Sequence, residues 1–230
     1  MQFFTGIGPN PRVVSLFIAE KGIDIPEVQV DLMAGENREA GHLGRNPAGQ
    51  LPTLELDDGS FLAEVTAICE YLEEIHPTPA LIGSTPEERA TTRMWVRRID
   101  LNIVEPMTTG FRGAEGLGLF KDRMRTFPQA AEDLKLQAQE KLAWLNGLMG
   151  DNEFICGDRF SLADVFLFAF LEFGGSVGQP LDPKLEALTS WYTRTAARPA
   201  VAGSGACRCE GHGRSNAVAR NPRRETGREI

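Results

Sequence analysis

The sequence predicts two domains in series: a small α/β module over residues 1–77 and an all-helical domain over residues 86–202, with residues 78–85 as the linker. Three observations carry that prediction. Up to His76, period-two alternation and helical periodicity succeed each other in the order strand, helix, strand, hairpin, helix. Pro77-Thr78-Pro79-Ala80 through Ser84 then interrupts both patterns. Beyond it only helical signals recur, beginning with a capping box.

Phe3-Phe4 opens a short apolar strand that stops at Gly6-Ile7-Gly8-Pro9. Asn10 then suits an N-cap and Pro11 the first helical position. Val13, Val14, Leu16, Phe17 and Ile18 supply the buried face of this helix, and Gly22 closes it. Glu27–Leu32 alternates as a second strand, and Met33–Arg45 reads as a loop or weak helix. Thr53–Leu56 turns at Asp57-Asp58-Gly59 into Ser60-Phe61-Leu62, a hairpin signal. Ile68, Tyr71, Leu72 and Ile75 share one face of the next helix, which ends at His76-Pro77.

In the second domain Thr85-Pro86-Glu87-Glu88 opens a helix through Trp95 and Ile99 to about Thr108. Gly110–Gly118, with four glycines, predicts a break or mobile bend. No Lys-Ser/Thr pair follows it, so it is not a phosphate loop. Pro128–Met149 carries a stripe of Leu134, Ala138, Leu142 and Leu145. Ser161 and Asp164 resemble a catalytic pair, but their spacing is that of a second capping box. Val165–Phe173 is apolar nearly all round, so that helix is expected at the centre of the domain. Lys184–Ala197 makes a last clear helix.

Composition narrows the function classes. No apolar run approaches the roughly 18 residues of a membrane span, and Met1–Thr5 lacks the basic-then-apolar order of a signal peptide. The four cysteines show neither metal spacing nor C-x-x-C, which favours a reducing cytoplasm and no metal. The histidines have no carboxylate at triad or metal spacing. A net charge of −8 argues against nucleic acid as partner. Residues 203–230 alone carry +3, leaving −11 on residues 1–202. This tail has no periodic apolar face, is expected to be disordered, and is expected to be dispensable despite Cys207-Arg208-Cys209.

The stretch Asn46-Pro47-Ala48-Gly49-Gln50-Leu51-Pro52-Thr53-Leu54 is the most informative. Proline fits poorly at the mouth of a strand because it cannot donate to the ladder. Its presence suggests a fixed geometry such as a cis Leu51–Pro52 bond. That bend would turn the Leu51 N–H and C=O outward, ready to pair with an extended peptide. The alternative is an ordinary turn before a hairpin.

Four motifs in order make residues 1–202 resemble the cytosolic glutathione S-transferase family. They are Pro-Asn-Pro-Arg…Ala-Glu-Lys-Gly at 9–22, Asn-Pro-x-Gly-x-Leu-Pro-Thr-Leu at 46–54, Ala-Glu-Val-Thr-Ala-Ile-Cys-Glu-Tyr-Leu at 63–72 and Gly-Asp-x-Phe-Ser-x-Ala-Asp at 157–164. The resemblance implies a thioredoxin-like first domain that binds glutathione as co-substrate, a helical-bundle second domain that holds the electrophile, and a homodimer. By position, Pro52 matches the family's cis-proline and Leu51 the residue that pairs with the cysteinyl unit. Gln50 matches a polar position near the glycyl carboxylate. Glu64 and Val65 match the pair at the γ-glutamyl end, with valine in place of the usual serine and Thr66 as a substitute hydroxyl or a helix cap. His42 is a further candidate for the glycyl carboxylate. Arg98, Asn102, Met107, Phe111 and Arg112 are candidates for the border of the co-substrate cleft.

The thiolate-stabilising residue departs from the family pattern. The only tyrosines, Tyr71 and Tyr192, come too late in the chain, no cysteine precedes Cys69, and the usual serine position falls on Gly8. Asn10 is the best remaining donor and Thr5 the next. Lowering a thiol pKa by two units takes about 2.7 kcal/mol. One hydrogen bond to the charged sulfur gives about 1.5–3 kcal/mol and a helix N-terminus about 0.3–1 kcal/mol. The expected reaction is conjugation of glutathione to an apolar electrophile. Glutathione-dependent disulfide or peroxide reduction, or noncatalytic glutathione binding, are the alternatives.

Overall fold

The computed structural model describes residues 1–204. Its first domain is a four-stranded mixed sheet in the order β2-β1-β3-β4. The strands are β1 (Gln2–Thr5), β2 (Glu27–Gln29), β3 (Thr53–Glu55) and β4 (Phe61–Ala63). β1 runs parallel to β2 through the crossover helix α1 (Pro9–Lys21), and β3 is antiparallel to both β1 and β4. A 3-10 turn at Glu36–Arg38 and the short helix α2 (Ala40–Arg45) lie between β2 and β3, and α3 (Val65–Ile75) follows β4. α1 and α3 pack together, with Val13, Val14, Phe17, Ile68 and Leu72 buried among the core residues. This is the thioredoxin-like architecture.

The second domain is helical throughout: α4 (Pro86–Ile99), α5 (Glu105–Gly113), α6 (Leu117–Phe120), α7 (Ala131–Met149), α8 (Leu162–Ser176), α9 (Glu186–Ala196) and α10 (Pro199–Gly203). α8 is buried nearly all round and lies against both α4 and α1, so it joins the two cores. Both capping boxes form. Thr85 Oγ1 accepts from Glu88 N at 3.2 Å, and Ser161 Oγ accepts from Ala163 N at 3.3 Å while Ser161 N donates to Asp164 Oδ2 at 2.9 Å. Asp164 also accepts from Ile155 N and Trp191 Nε1, so it is committed to structure.

Three local expectations are corrected. Helix α1 starts at Pro9, and its N-cap is Gly8 rather than Asn10; no side chain caps it. Thr66 is likewise no cap, because Glu64 holds that position at α3. Gly110 and Gly113 do not break the chain but lie inside α5. A Cβ at Gly110 would stand 3.0 Å from Ala131 O, and one at Gly113 would stand 2.9 Å from Phe127 O. These glycines therefore serve close packing on the segment that opens α7. Between α4 and α5 the chain adopts a π-helical turn, Asp100–Val104.

The described chain continues through α10 to Ser204, whose Oγ accepts from Arg12 Nη1 at 2.9 Å. It thus extends past the expected limit at residue 202. The rest of the predicted tail, with Cys207 and Cys209, lies outside the described residues.

Candidate functional site

Asn46 to Thr53 forms the floor of a pocket between the two domains. Leu51–Pro52 is a cis peptide bond. The Gln50 carbonyl points inward and accepts from Asn46 Nδ2 and from His42 Nε2, each at 3.0 Å. The Leu51 N–H and C=O, one residue on, have no hydrogen-bond partner among the described residues. They form a short unpaired edge, as the proline bend required.

The pocket, about 110 Å³, is lined by Asn10, Asn46, Gln50, Leu51, Pro52, Glu64, Val65, Thr66, Asp100 and Phe166. One end is the N-terminus of α3. Glu64 is its N-cap, with no side-chain cap bond. The first helical bond back to it comes from Ile68 N, so the N–H groups of Val65, Thr66 and Ala67 are not used within the helix. Those donors and the positive end of the helix suit a carboxylate. Glu64 has φ 72°, a conformation that costs a non-glycine residue about 1–3 kcal/mol.

At the other end stands α1. Pro9 and Pro11 have no N–H to offer, and Arg12 N donates back to Gly8 O at 3.3 Å. Asn10 alone among these brings both a main-chain N–H and a side-chain amide to this end of the pocket.

The second domain contributes Asp100, on the π-helical turn, and the buried ring of Phe166 on α8. Burial pushes the Asp100 carboxyl above its ordinary range. Arg97, with Nη1 3.1 Å away, pulls it back down, and Glu105 pushes in the same direction as burial. The pocket thus offers two carboxylates, Glu64 and Asp100, beside a helix N-terminus. That combination suits a zwitterion with ammonium and carboxylate on one carbon.

Asn10, Gln50, Leu51, Pro52, Glu64, Val65 and Thr66 are therefore brought together around one pocket. Thr5 is not: it is buried at the end of β1 and lines a different cavity with Gly6, Gly8 and Arg12. Nor is His42, which is 2 % exposed and turned onto the Gln50 carbonyl. Among the co-substrate candidates Met107 is fully buried, and Phe111 packs edge-on to Phe173 at 5.0 Å between centroids. Asp100, Phe166 and Asn46 complete the lining without having been singled out for it.

The described cysteines offer no nucleophile. Cys69 is fully buried and Cys156 half-buried, and burial raises both thiols. Among the described residues no cluster of His, Cys, Asp and Glu could hold a metal. No helix among them is long and apolar enough to cross a membrane.

Comparisons with known proteins agree with this fold. The family model described as "Glutathione S-transferase, N-terminal domain" matches residues 7–75, and that for the C-terminal domain matches residues 115–199. Glutathione S-transferase 2 of Saccharomyces cerevisiae is 33 % identical over 204 residues, covering 86 % of this chain and 85 % of the yeast protein. Among solved structures, Gtt2 from Saccharomyces cerevisiae aligns with a TM-score of 0.82 at 31 % identity, over 88 % of this chain and 99 % of that one. A glutathione S-transferase domain-containing protein from Marinobacter aquaeolei aligns at 0.81 and 35 % identity, over 87 % and 100 %.

Proposed function

Because this chain belongs to the glutathione S-transferase family, we propose that the pocket binds glutathione and that its thiolate attacks an apolar electrophile held against the second domain. The observation that carries the reading is the unpaired Leu51 main chain beside cis Pro52, a strand edge fitted to the cysteinyl unit of the tripeptide. The γ-glutamyl carboxylate then meets the N–H groups at the start of α3, and its ammonium faces Glu64 and Asp100.

Asn10 stabilises the thiolate. A hydrogen bond to a charged acceptor contributes about 1.5–3 kcal/mol, and the α1 N-terminus adds about 0.3–1 kcal/mol. Together these reach the roughly 2.7 kcal/mol that a two-unit lowering requires. No side chain of this protein forms a covalent intermediate in this scheme. The sulfur bonds to the electrophilic carbon as the leaving group departs, and positioning does the rest.

Titration calorimetry with glutathione, followed by turnover of an aryl halide, tests the proposal. Absence of glutathione binding would overturn it. Glycine at position 8, where relatives of the serine type carry their hydroxyl, gives a second reading its footing: glutathione-dependent disulfide or peroxide reduction. Turnover of a disulfide but not of an aryl halide would select it. Exposed Phe61 on β4, Met94 on α4 and Leu101 beyond it support a homodimer, to be checked by sedimentation. The free Cys69 and Cys156 support a cytoplasmic location.

A further inference from the structure

Three buried amide and imidazole side chains converge on the main chain just before Leu51. Asn37 Nδ2 donates to Gly49 O at 2.6 Å, and His42 Nε2 and Asn46 Nδ2 both donate to Gln50 O at 3.0 Å. Asn46 is held in turn: its Oδ1 accepts from Ala48 N at 3.1 Å and its carbonyl accepts from Gly49 N at 2.8 Å. All three side chains are buried, although the segment that carries them, residues 36–46, has only a 3-10 turn and a six-residue helix of its own.

The arrangement is costly in isolation. Asn37 Oδ1 and His42 Nδ1 are buried without a partner among the described residues. A buried polar atom left unpaired has lost its hydration without replacement. An apolar filler at position 42 would avoid that cost and would also lose the second donor to the Gln50 carbonyl. A carbonyl only accepts, so Nε2 carries the imidazole hydrogen.

We propose that Asn37, His42 and Asn46 form a buried clamp that fixes the Gly49 and Gln50 carbonyls inward and so presents the Leu51 edge to the ligand, with His42 as a positioning residue for glutathione. This rests on the glutathione reading of the pocket. His42 acts through Gln50 O: the trans peptide that carries this carbonyl carries the Leu51 N–H on its opposite edge, so holding the carbonyl inward turns that N–H outward, next to the Leu51 C=O of the cis bond. The clamp thereby lowers the ordering cost of binding without touching the sulfur chemistry.

His42→Phe keeps an aromatic ring and removes the donor. It should raise KM for glutathione about ten-fold, the effect of one lost hydrogen bond, while kcat at saturating glutathione stays within about two-fold. His42→Gln restores an N–H at nearly the same reach and should return KM to within about two-fold of the parent. Asn37→Ala, which lies off the pocket, should raise KM in the same way and serves if His42→Phe does not fold.

Amide exchange at Gly49, whose N–H donates to Asn46 O at 2.8 Å within the clamp, provides in the ligand-free protein a readout independent of glutathione. It should quicken in His42→Phe and Asn37→Ala but not in His42→Gln. Unchanged KM and unchanged exchange in either donor-free variant would overturn the clamp, as would His42→Gln behaving like His42→Phe. Quickened exchange in a protein that does not bind glutathione would uphold the clamp and reject the ligand.

Discussion

Lys21 on α1 and Glu73 on α3 form a buried ion pair, Nζ to Oε2 at 2.7 Å, and the same carboxylate accepts the main-chain N–H groups of Leu81, Ile82 and Gly83. Lys21 completes the arrangement by donating to Pro79 O at 2.6 Å. The linker therefore lies bound to the first domain. Arg12 to Glu172 and Arg198 to Glu20 tie α1 to the second domain in addition. The pocket takes its lining from both domains, and these pairs hold the two domains together.

Glu73→Ala would strand a fully buried ammonium and three linker N–H groups. A loss of about 3–5 kcal/mol is expected, read as a lower urea midpoint. Glu73→Gln keeps an acceptor for the linker and should lose less. Equal losses would show that the linker bonds contribute little.

Asn10→Ala separates catalysis from stability. Because Gly8 holds the cap position and no side chain caps α1, the variant should stay within about 0.5 kcal/mol of the parent. The pH–rate profile of kcat at saturating glutathione, which reports the bound thiol, should move to higher pH. An unmoved profile would remove Asn10 from the chemistry.

Gly8 has φ 129° and ψ 164°, a region open in practice to glycine alone. The missing serine is thus built into the backbone. Gly8→Ser has room for a Cβ, whose nearest neighbour, Pro11 Cδ, would lie 3.9 Å away. The strain should still cost about 1–3 kcal/mol without raising turnover, measured by thermal unfolding and aryl-halide conjugation. A gain in turnover would show that the loop relaxes to accept a serine-type mechanism.

How far each feature was legible depends on how local its cause is. The boxes at Thr85/Glu88 and Ser161/Asp164 were readable because their hydrogen bonds span three residues. Leu51-Pro52 was readable because proline restricts its own neighbourhood. The α1 cap was misread because Asn10 lies between two prolines, and either proline fits a helix start. Gly110 and Gly113 resembled a break because their reason is tertiary, the approach of Phe127 and Ala131. Asp100 and Phe166 reach the pocket from helices with no motif of their own. His42 was read as a ligand contact because a lone polar residue in a short segment does not reveal its burial.

Asp100 supplies the last prediction. Burial raises its carboxyl, so the folded chain holds this proton to a higher pH than the unfolded chain does. Between the ordinary carboxyl range and the raised value the folded state binds more protons, and this group's contribution to stability falls as pH rises through that window. Above the window the half-buried charge is a cost, which Asp100→Asn removes. The ligand-free variant should therefore be no less stable at pH 7 than the parent, although Arg97 loses its partner. Glutathione reverses the balance, because its ammonium favours the charged carboxylate. Binding should release protons when the pH lies inside the window, seen as a binding enthalpy that depends on the buffer's ionisation enthalpy. In Asp100→Asn that release should vanish and Kd should rise about ten-fold. Buffer dependence that survives the substitution would place the released proton elsewhere than on Asp100.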